Sequence, residues 1–409
     1  MPPHHHTAIS ATDLETDWAA LVRAARDIAG HGLAGVRSGA PDLVTPPDAM
    51  DALCNSMLLY ATLPAAAGGK GLGDPRTPGA VRAHLDVLRV LGSGSLSTAR
   101  IWEGHANALQ IIEAFAGDRA ESMLGDIVAR NAVVGLWNTN NPRDKARLTA
   151  QPDGSYRLSG GKSFASGTGL CTVALVGATL VIGGEERGWQ LVLVDLTDSS
   201  VVSDTSWWDV MGMRGSVSGT IAFRDTQVSA DELVGAPEDY HRQPWLIAGV
   251  ARYSAAQLGA AEQLLKELAD ALRSGRRESD DVQVGRVAEI ARLLEGGRLW
   301  LDRAAAHTEK LGPCFEPGME ATADIRTRLE EFAAYLGMTR LSVEHACLET
   351  LRLVEQALGA RSFVRPSVVE QIHRDLIVYL RQPARDAAVL QVGRWALGHD
   401  HEAGELWSW

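Results

Sequence analysis

Cysteine is scarce in this chain. The four present, Cys54, Cys171, Cys314 and Cys347, stand far apart and form no CxxC pair. In a chain of 409 residues that spacing excludes the disulfide framework of small secreted domains and points to reduced thiols in a cytoplasmic setting. Long apolar runs are missing too. None reaches the roughly 20 residues that span a bilayer, and no basic stretch followed by an apolar one opens the chain, so neither a membrane span nor a signal segment is expected. Positive charge is in deficit: 39 Lys and Arg against 51 Asp and Glu leave a net charge of −12. This argues against nucleic acid or an anionic membrane as the main partner. It leaves room for an anionic small molecule in a local basic pocket. Internal repeats and low-complexity tracts are absent. His4, His5 and His6 can bind a metal, but in this position they read as a tail, and no metal site is expected.

What is present is ordinary in amount and unusual in order. Hydrophobic content of 45% and charged content of 22% fit a soluble chain of two or three domains with a large core. Residues 13–130 follow helical spacing, as in Leu14, Trp18, Leu21 and Ala25. LPAAAGGKGLG at 63–73 interrupts this pattern, and GSGS at 92–95 divides two further helices. Glu103 and His105 lie on the second of these, as a buried acid and base or as tolerated polar residues on a helix face. From 131 the period changes. Short runs at 131–137, 155–160, 172–181, 191–196 and 220–228, rich in β-branched residues and separated by Gly, Asp and Ser, read as strands of a sandwich or barrel. Beyond Pro244 helical spacing returns. Val284, Val287, Ile290, Ala291, Leu294, Leu299 and Leu301 mark an apolar side of one helix. A continuous stripe from Leu329 through Phe332, Leu336, Val343, Cys347 and Leu351 to Leu358 marks another. With a helix at 245–273, rich in small residues, and a segment at 367–397 these make a four-helix bundle.

Two stretches carry a resemblance. SWWDVMGMRGSVSGTIAFRDTQVSADELVG at 206–235 has a Gly-x-Arg-x-Ser turn, a strand and a short acidic exit. It resembles the end of the middle domain of the acyl-CoA dehydrogenase superfamily. GGKSFASGTG at 160–169 resembles that superfamily's Gly-x-Lys-x-aromatic strand, which lies beside a flavin. The resemblance extends over nearly the whole chain in the same element order. It implies an α+β multidomain fold: an N-terminal all-α domain (1–130), a central β-barrel or sandwich domain (131–240) and a C-terminal four-helix bundle (241–409). It also implies a bound flavin, FAD with FMN as the alternative, and a homo-oligomer, dimer or tetramer, paired through helix 325–358.

On this resemblance the flavin contacts are Trp137, Asn138 and Thr139 at the end of the first strand, and Phe164 and Ser166 at the aromatic-x-hydroxyl positions. Arg214 binds phosphate or pins its loop. Phe164 reads equally as a strand aromatic, and Ser166 as a turn residue. The chain departs from the superfamily in several places. NTNNPRDKARL replaces the usual Thr-Glu-Pro glycine-rich flavin loop, and Asp281 stands where many members carry an Arg. DDVQVGRVAEIARLL, FASG at 164–167 and SGT at 218–220 are closer to the monooxygenase branch. The dehydrogenase base is also missing. Its two superfamily positions fall on Pro383 and Gly249, neither of which is an acid. Asp386 is the nearest carboxylate to the first position, and is equally a helix N-cap. Arg381 in the same loop cannot act as a base but can hold an anion.

The leading expectation is therefore an FAD-dependent oxidoreductase that dehydrogenates an acyl thioester such as acyl-CoA, with Asp386 and Arg381 as candidate catalytic residues. A flavin-dependent monooxygenase of the same fold and a non-catalytic homologue are the alternatives.

Overall fold

The computed structural model describes residues 11–40, 42, 47–319, 322–398, 402 and 407, with side chains from residue 18 onward. His4, His5 and His6 lie outside the described residues. Five helices open the chain: α1 (Ala11–Arg37), α2 (Pro47–Cys54), α3 (Ala80–Gly94), α4 (Leu96–Phe115) and α5 (Ala120–Ala129). The break between α3 and α4 falls where Ser95, in extended backbone, turns its hydroxyl to accept the Thr98 N–H, a standard N-cap. Along α4 the residues from Leu96 to Leu109 are buried with a single exception, Arg100. A helix covered on all sides is a core helix, and this one runs between the other parts of the molecule.

The β region contains β1 (Val134–Trp137), β2 (Arg147–Ala150), β3 (Tyr156–Ala165), β4 (Val173–Ile182), β5 (Glu185–Asp195), β6 (Val201–Asp204), β7 (Gly219–Val228) and β8 (Leu233–Val234). They form one sheet in the order β6-β7-β3-β2-β4-β5-β8, and β1 lies parallel to β4. β1 takes residues 173–176 of β4 while β2 takes 179–181, so two short strands share one edge of the longest buried strand. Both pairings are parallel, yet no helix makes the crossover.

The chain returns to helix with α6 (Trp245–Ser274), α7 (Asp281–Lys310), α8 (Ala323–Leu358), α9 (Val368–Tyr379) and α10 (Arg385–Gly398). α3 crosses α6 closely enough that a Cβ on Gly259 would lie 1.7 Å from the Arg89 carbonyl, and one on Gly92 would lie 2.1 Å from that of Ala256. Glycine permits this approach. Two expectations need correction. The segment 367–397 is two helices broken at 380–384, not one. On α7, Val284 and Leu299 are exposed while Ile290, Leu294 and Leu301 are buried. The helix therefore turns its apolar side by a different angle than its sequence indicates. The α8 stripe is buried within this single chain. It belongs to the bundle's own core.

Candidate active site

The ends of β1 and β3 meet around one buried amine. Lys162, with no exposed surface, donates from Nζ to the Asn138 carbonyl (3.1 Å) and to Asn140 Oδ1 (2.8 Å). Its Nζ also lies 4.4 Å from the centre of the Trp189 ring. Burial pushes its pKa down to about 7. The two N–H groups of a neutral amine already satisfy both oxygens. Ser163 reinforces the junction: its N–H donates to the Thr139 carbonyl (3.1 Å) and its hydroxyl to the Asn140 carbonyl (3.1 Å). Trp137 is buried and donates from Nε1 to the Ser166 carbonyl (3.1 Å). Trp137, Asn138, Thr139 and Ser166 are thus brought to one edge of the sheet. Lys162, part of the glycine-lysine motif, fixes the arrangement.

Phe164 belongs to the same edge but faces outward. It is 55% exposed, with φ of +54°, an unusual conformation for an aromatic residue. Its ring meets the edges of Trp207 (5.1 Å) and Trp208 (6.0 Å), so three aromatic rings form an open wall next to the β1 and β3 ends. Behind it runs a line of hydroxyls. Ser166 Oγ lies 2.9 Å from Ser218 Oγ, which lies 2.9 Å from Ser216 Oγ, and Ser216 donates to the Met213 carbonyl (2.8 Å). Arg214 follows in the same turn. It lies 3.8 Å from Asp42 and 3.7 Å from Asp209, and its buried Nε has no hydrogen-bond partner among the described residues.

The two catalytic candidates come from the helical bundle, Arg381 just after α9 and Asp386 at the start of α10. Arg381 is exposed and its Nε donates back to the Ile377 carbonyl (3.3 Å). The Asp386 side chain is 96% exposed, within the first turn of α10. Their loop is fixed by Arg340, which donates to the carbonyls of Gln382 (2.6 Å) and Pro383 (2.8 Å).

A second polar centre, further in, is built by α4, α6 and α9. Glu103, 6% exposed, accepts from Arg100 and from Arg252 Nε (3.1 Å). Tyr379 is buried facing Arg100, Glu103 and Tyr253, and burial raises its pKa. The Tyr240 hydroxyl faces the side chains of Asn107 and Asn138, which links this centre to the end of β1. His105 serves structure: Nε2 donates to the Leu59 carbonyl (2.8 Å), Nδ1 accepts the Val134 N–H (3.0 Å), and burial lowers its pKa to about 4. Next to the centre a cleft opens to solvent, lined by Asn107, Arg252, His84, Trp245 and Phe315 among others. Pro64, Gly71 and Gly73 of the glycine-rich 63–73 segment also line it. Arg252 and Arg340 carry no local sequence signal. Both become functional candidates only when distant helices are packed.

The whole-chain architecture has close counterparts. The crystal structure of a dibenzothiophene monooxygenase from Paenibacillus sp. A11-2, in complex with FMN and indole, superposes with a TM-score of 0.81 over 95% of this chain and all of the other, at 21% identity. The chain has the acyl-CoA dehydrogenase fold. No family model matches the sequence. Among curated proteins it is similar to, dibenzothiophene monooxygenase of Rhodococcus erythropolis is 26% identical over 194 residues, 45% of this chain and 44% of that protein. The chain thus matches under half the length of these relatives. A probable FMNH2-dependent monooxygenase of Pseudomonas putida is 25% identical over 380 residues, 89% of this chain and 91% of that protein.

Proposed function

We propose that this protein is a flavin-dependent monooxygenase, using reduced FMN and dioxygen to oxygenate a small organic molecule. The observation that carries the reading is the state of the carboxylates. Gly249 and Pro383 occupy the two positions at which a dehydrogenase places its base. Asp386 points to solvent, and Glu103 is held between two guanidinium groups. A base must reach the proton it removes, and a solvent-facing Asp386 or a Glu103 paired with two arginines is poorly suited to that task. The acyl-thioester reading therefore yields to the monooxygenase one, which the relatives named above also support.

The β1–β3 edge suits a flavin. Its wall is the exposed Phe164 with Trp207 and Trp208, and Asn138 offers a buried Oδ1 with no hydrogen-bond partner among the described residues. Trp137, Asn138, Thr139, Phe164 and Ser166 would hold the ring, and Arg214 the phosphate. FMN is favoured over FAD by the relatives and by the loss of the glycine-rich flavin loop. Reduced flavin supplies two electrons, so one oxygen atom enters the product and the other leaves as water. Lys162 keeps the β1 end in place, and the aromatic wall keeps water from one face.

The test supplies photoreduced FMN or FAD, ¹⁸O₂ and a panel containing indole and dibenzothiophene. One ¹⁸O atom per product molecule, with FMN preferred, is expected. Bleaching of oxidised flavin by butyryl-CoA under argon, with no ¹⁸O incorporation from any panel member, overturns the reading.

A further inference from the structure

The inner centre carries unbalanced charge. Arg100 and Arg252 share the one carboxylate of Glu103. Two guanidiniums and one carboxylate leave one net positive charge in a place where the Glu103 and Arg252 side chains are only 8% and 12% exposed. An unpaired buried cation is costly, and an anion that reaches it is bound correspondingly well. Arg252 Nη2 is buried and has no hydrogen-bond partner among the described residues; the same holds for His84 Nε2, and His84 is 3% exposed. Both residues line the cleft. Arg252 Nη2 also lies 3.3 Å from where a Cβ on Gly249 would stand, so a cation occupies the neighbourhood in which a dehydrogenase could carry its acid.

The remaining surroundings sort by depth. The acids that line the cleft, Asp74, Glu113 and Glu316, belong to its outer part: Glu113 and Glu316 are exposed and Asp74 is engaged by Arg76. Trp245 and Phe315, packed edge to face at 5.3 Å, give the cleft an apolar aromatic wall. Asn107 adds a neutral amide beside Arg252.

We propose that this cleft selects a substrate with a flat apolar body and one anionic oxygen group, the anion seated on Arg252 Nη2 with His84 beside it. The proposal rests on the monooxygenase reading for what happens next, but concerns binding alone. Arg252 is a specificity residue here, and its task is discrimination between charged and neutral molecules of one shape.

The experiment is calorimetric titration of the full chain, with and without FMN, by indole, indole-2-carboxylate and naphthalene-2-sulfonate. At least one of the two anions is expected to bind about tenfold or more tighter than indole, as charge-assisted hydrogen bonds allow. The tighter of the two tells a carboxylate from a sulfonate. In Arg252→Gln the preference is expected to fall below about threefold with indole binding unchanged. Equal or weaker binding of both anions by the unaltered protein overturns the proposal, whether or not Arg252→Gln folds. A preference that survives in folded Arg252→Gln also overturns it. Preferred anion binding without any ¹⁸O incorporation would retain the site and remove the monooxygenase reading. ¹⁸O incorporation into neutral indole without an anion preference would do the reverse.

Discussion

Asp375 Oδ1, on α9, accepts the backbone N–H of Met213 at 2.6 Å. This hydrogen bond, with that from Arg374 Nη1 to the Met211 carbonyl (3.2 Å), joins the Gly-Met-Arg turn of the β region to the helical bundle. The same turn approaches so closely that a Cβ on Gly212 would lie 1.9 Å from the Arg374 carbonyl. Burial raises the Asp375 pKa to about 6, although Gln371 Nε2 also donates to it at 2.9 Å. The sign follows directly. Between the unfolded value near 3.8 and about 6, the folded protein holds more protons than the unfolded chain, so this group makes stability fall as pH rises through that window. A shift of this size corresponds to about 2–3 kcal/mol. Asp375→Asn removes the titrating group and is expected to abolish this contribution, read as the difference between the variant's and the unaltered protein's urea midpoints from pH 4 to 7. Asp375→Ala strands the Met213 N–H and is expected to cost about 2–4 kcal/mol.

Gly212→Ala tests the same docking by sterics alone. The added methyl meets main chain rather than a movable side chain, so the turn must back away from α9. A loss of about 3 kcal/mol or more is expected by thermal melting. An unchanged melting temperature would place the turn elsewhere.

The architecture was legible where pattern is long. The change of period at the start and end of the β region, and the helices α6 and α8, follow from side-chain spacing. The short strands β2, β6 and β8, of two to four residues, have too few positions to show alternation. The apolar side of α7 was misassigned because Val284 and Leu299 share its sequence period but face outward. Among the flavin candidates, Phe164 stood out through the 160–169 motif and Trp137 through its place at the end of the first strand. The Arg100–Glu103–Arg252 centre could not be read, since Arg252 comes from a helix 149 positions away from Glu103 in sequence and only packing reveals the pairing.

Lys162→Met is expected to keep the fold and weaken flavin. The methionine fills the space but removes the amine from the Asn138 carbonyl and leaves Asn140 Oδ1 with the longer bond from the Ala146 N–H (3.3 Å), loosening the strand end. Because burial lowers the lysine's pKa to about 7, the unfolded chain holds the extra proton between pH 7 and 10.5, and this residue makes stability rise with pH across that window. The variant should lose that rise and bind FMN about tenfold more weakly by fluorescence titration, as loss of one or two hydrogen bonds allows. Ser166→Ala and Thr139→Ala are expected to shift the bound-flavin spectrum. Unaltered spectra and affinities in both would remove these residues from the flavin site.

Assembly is expected to use α10. The α8 stripe is occupied within the chain, whereas α10 has no buried residue and exposes Val389 (42%), Leu390 (55%) and Leu397 (90%). A dimer or tetramer is expected by light scattering, and the double change Leu390→Glu with Leu397→Glu should dissociate it.

Glu103 provides the last prediction, because two roles for it separate cleanly. As a structural counter-charge, it neutralises one of two guanidiniums that are 29% and 12% exposed. Glu103→Gln then leaves both cations unbalanced, and a loss of about 3–5 kcal/mol is expected, as when one partner of a buried pair is removed. Oxygenation by whatever protein remains folded should keep its rate constant, since the glutamine still accepts from an arginine through its carbonyl. As a proton-abstracting base, the same change would leave stability little altered and reduce turnover by about 10²–10⁴-fold. Measuring the urea midpoint alongside single-turnover ¹⁸O incorporation distinguishes the two. A stable, folded and inactive Glu103→Gln would make Glu103 the missing base and return the acyl-thioester chemistry to consideration.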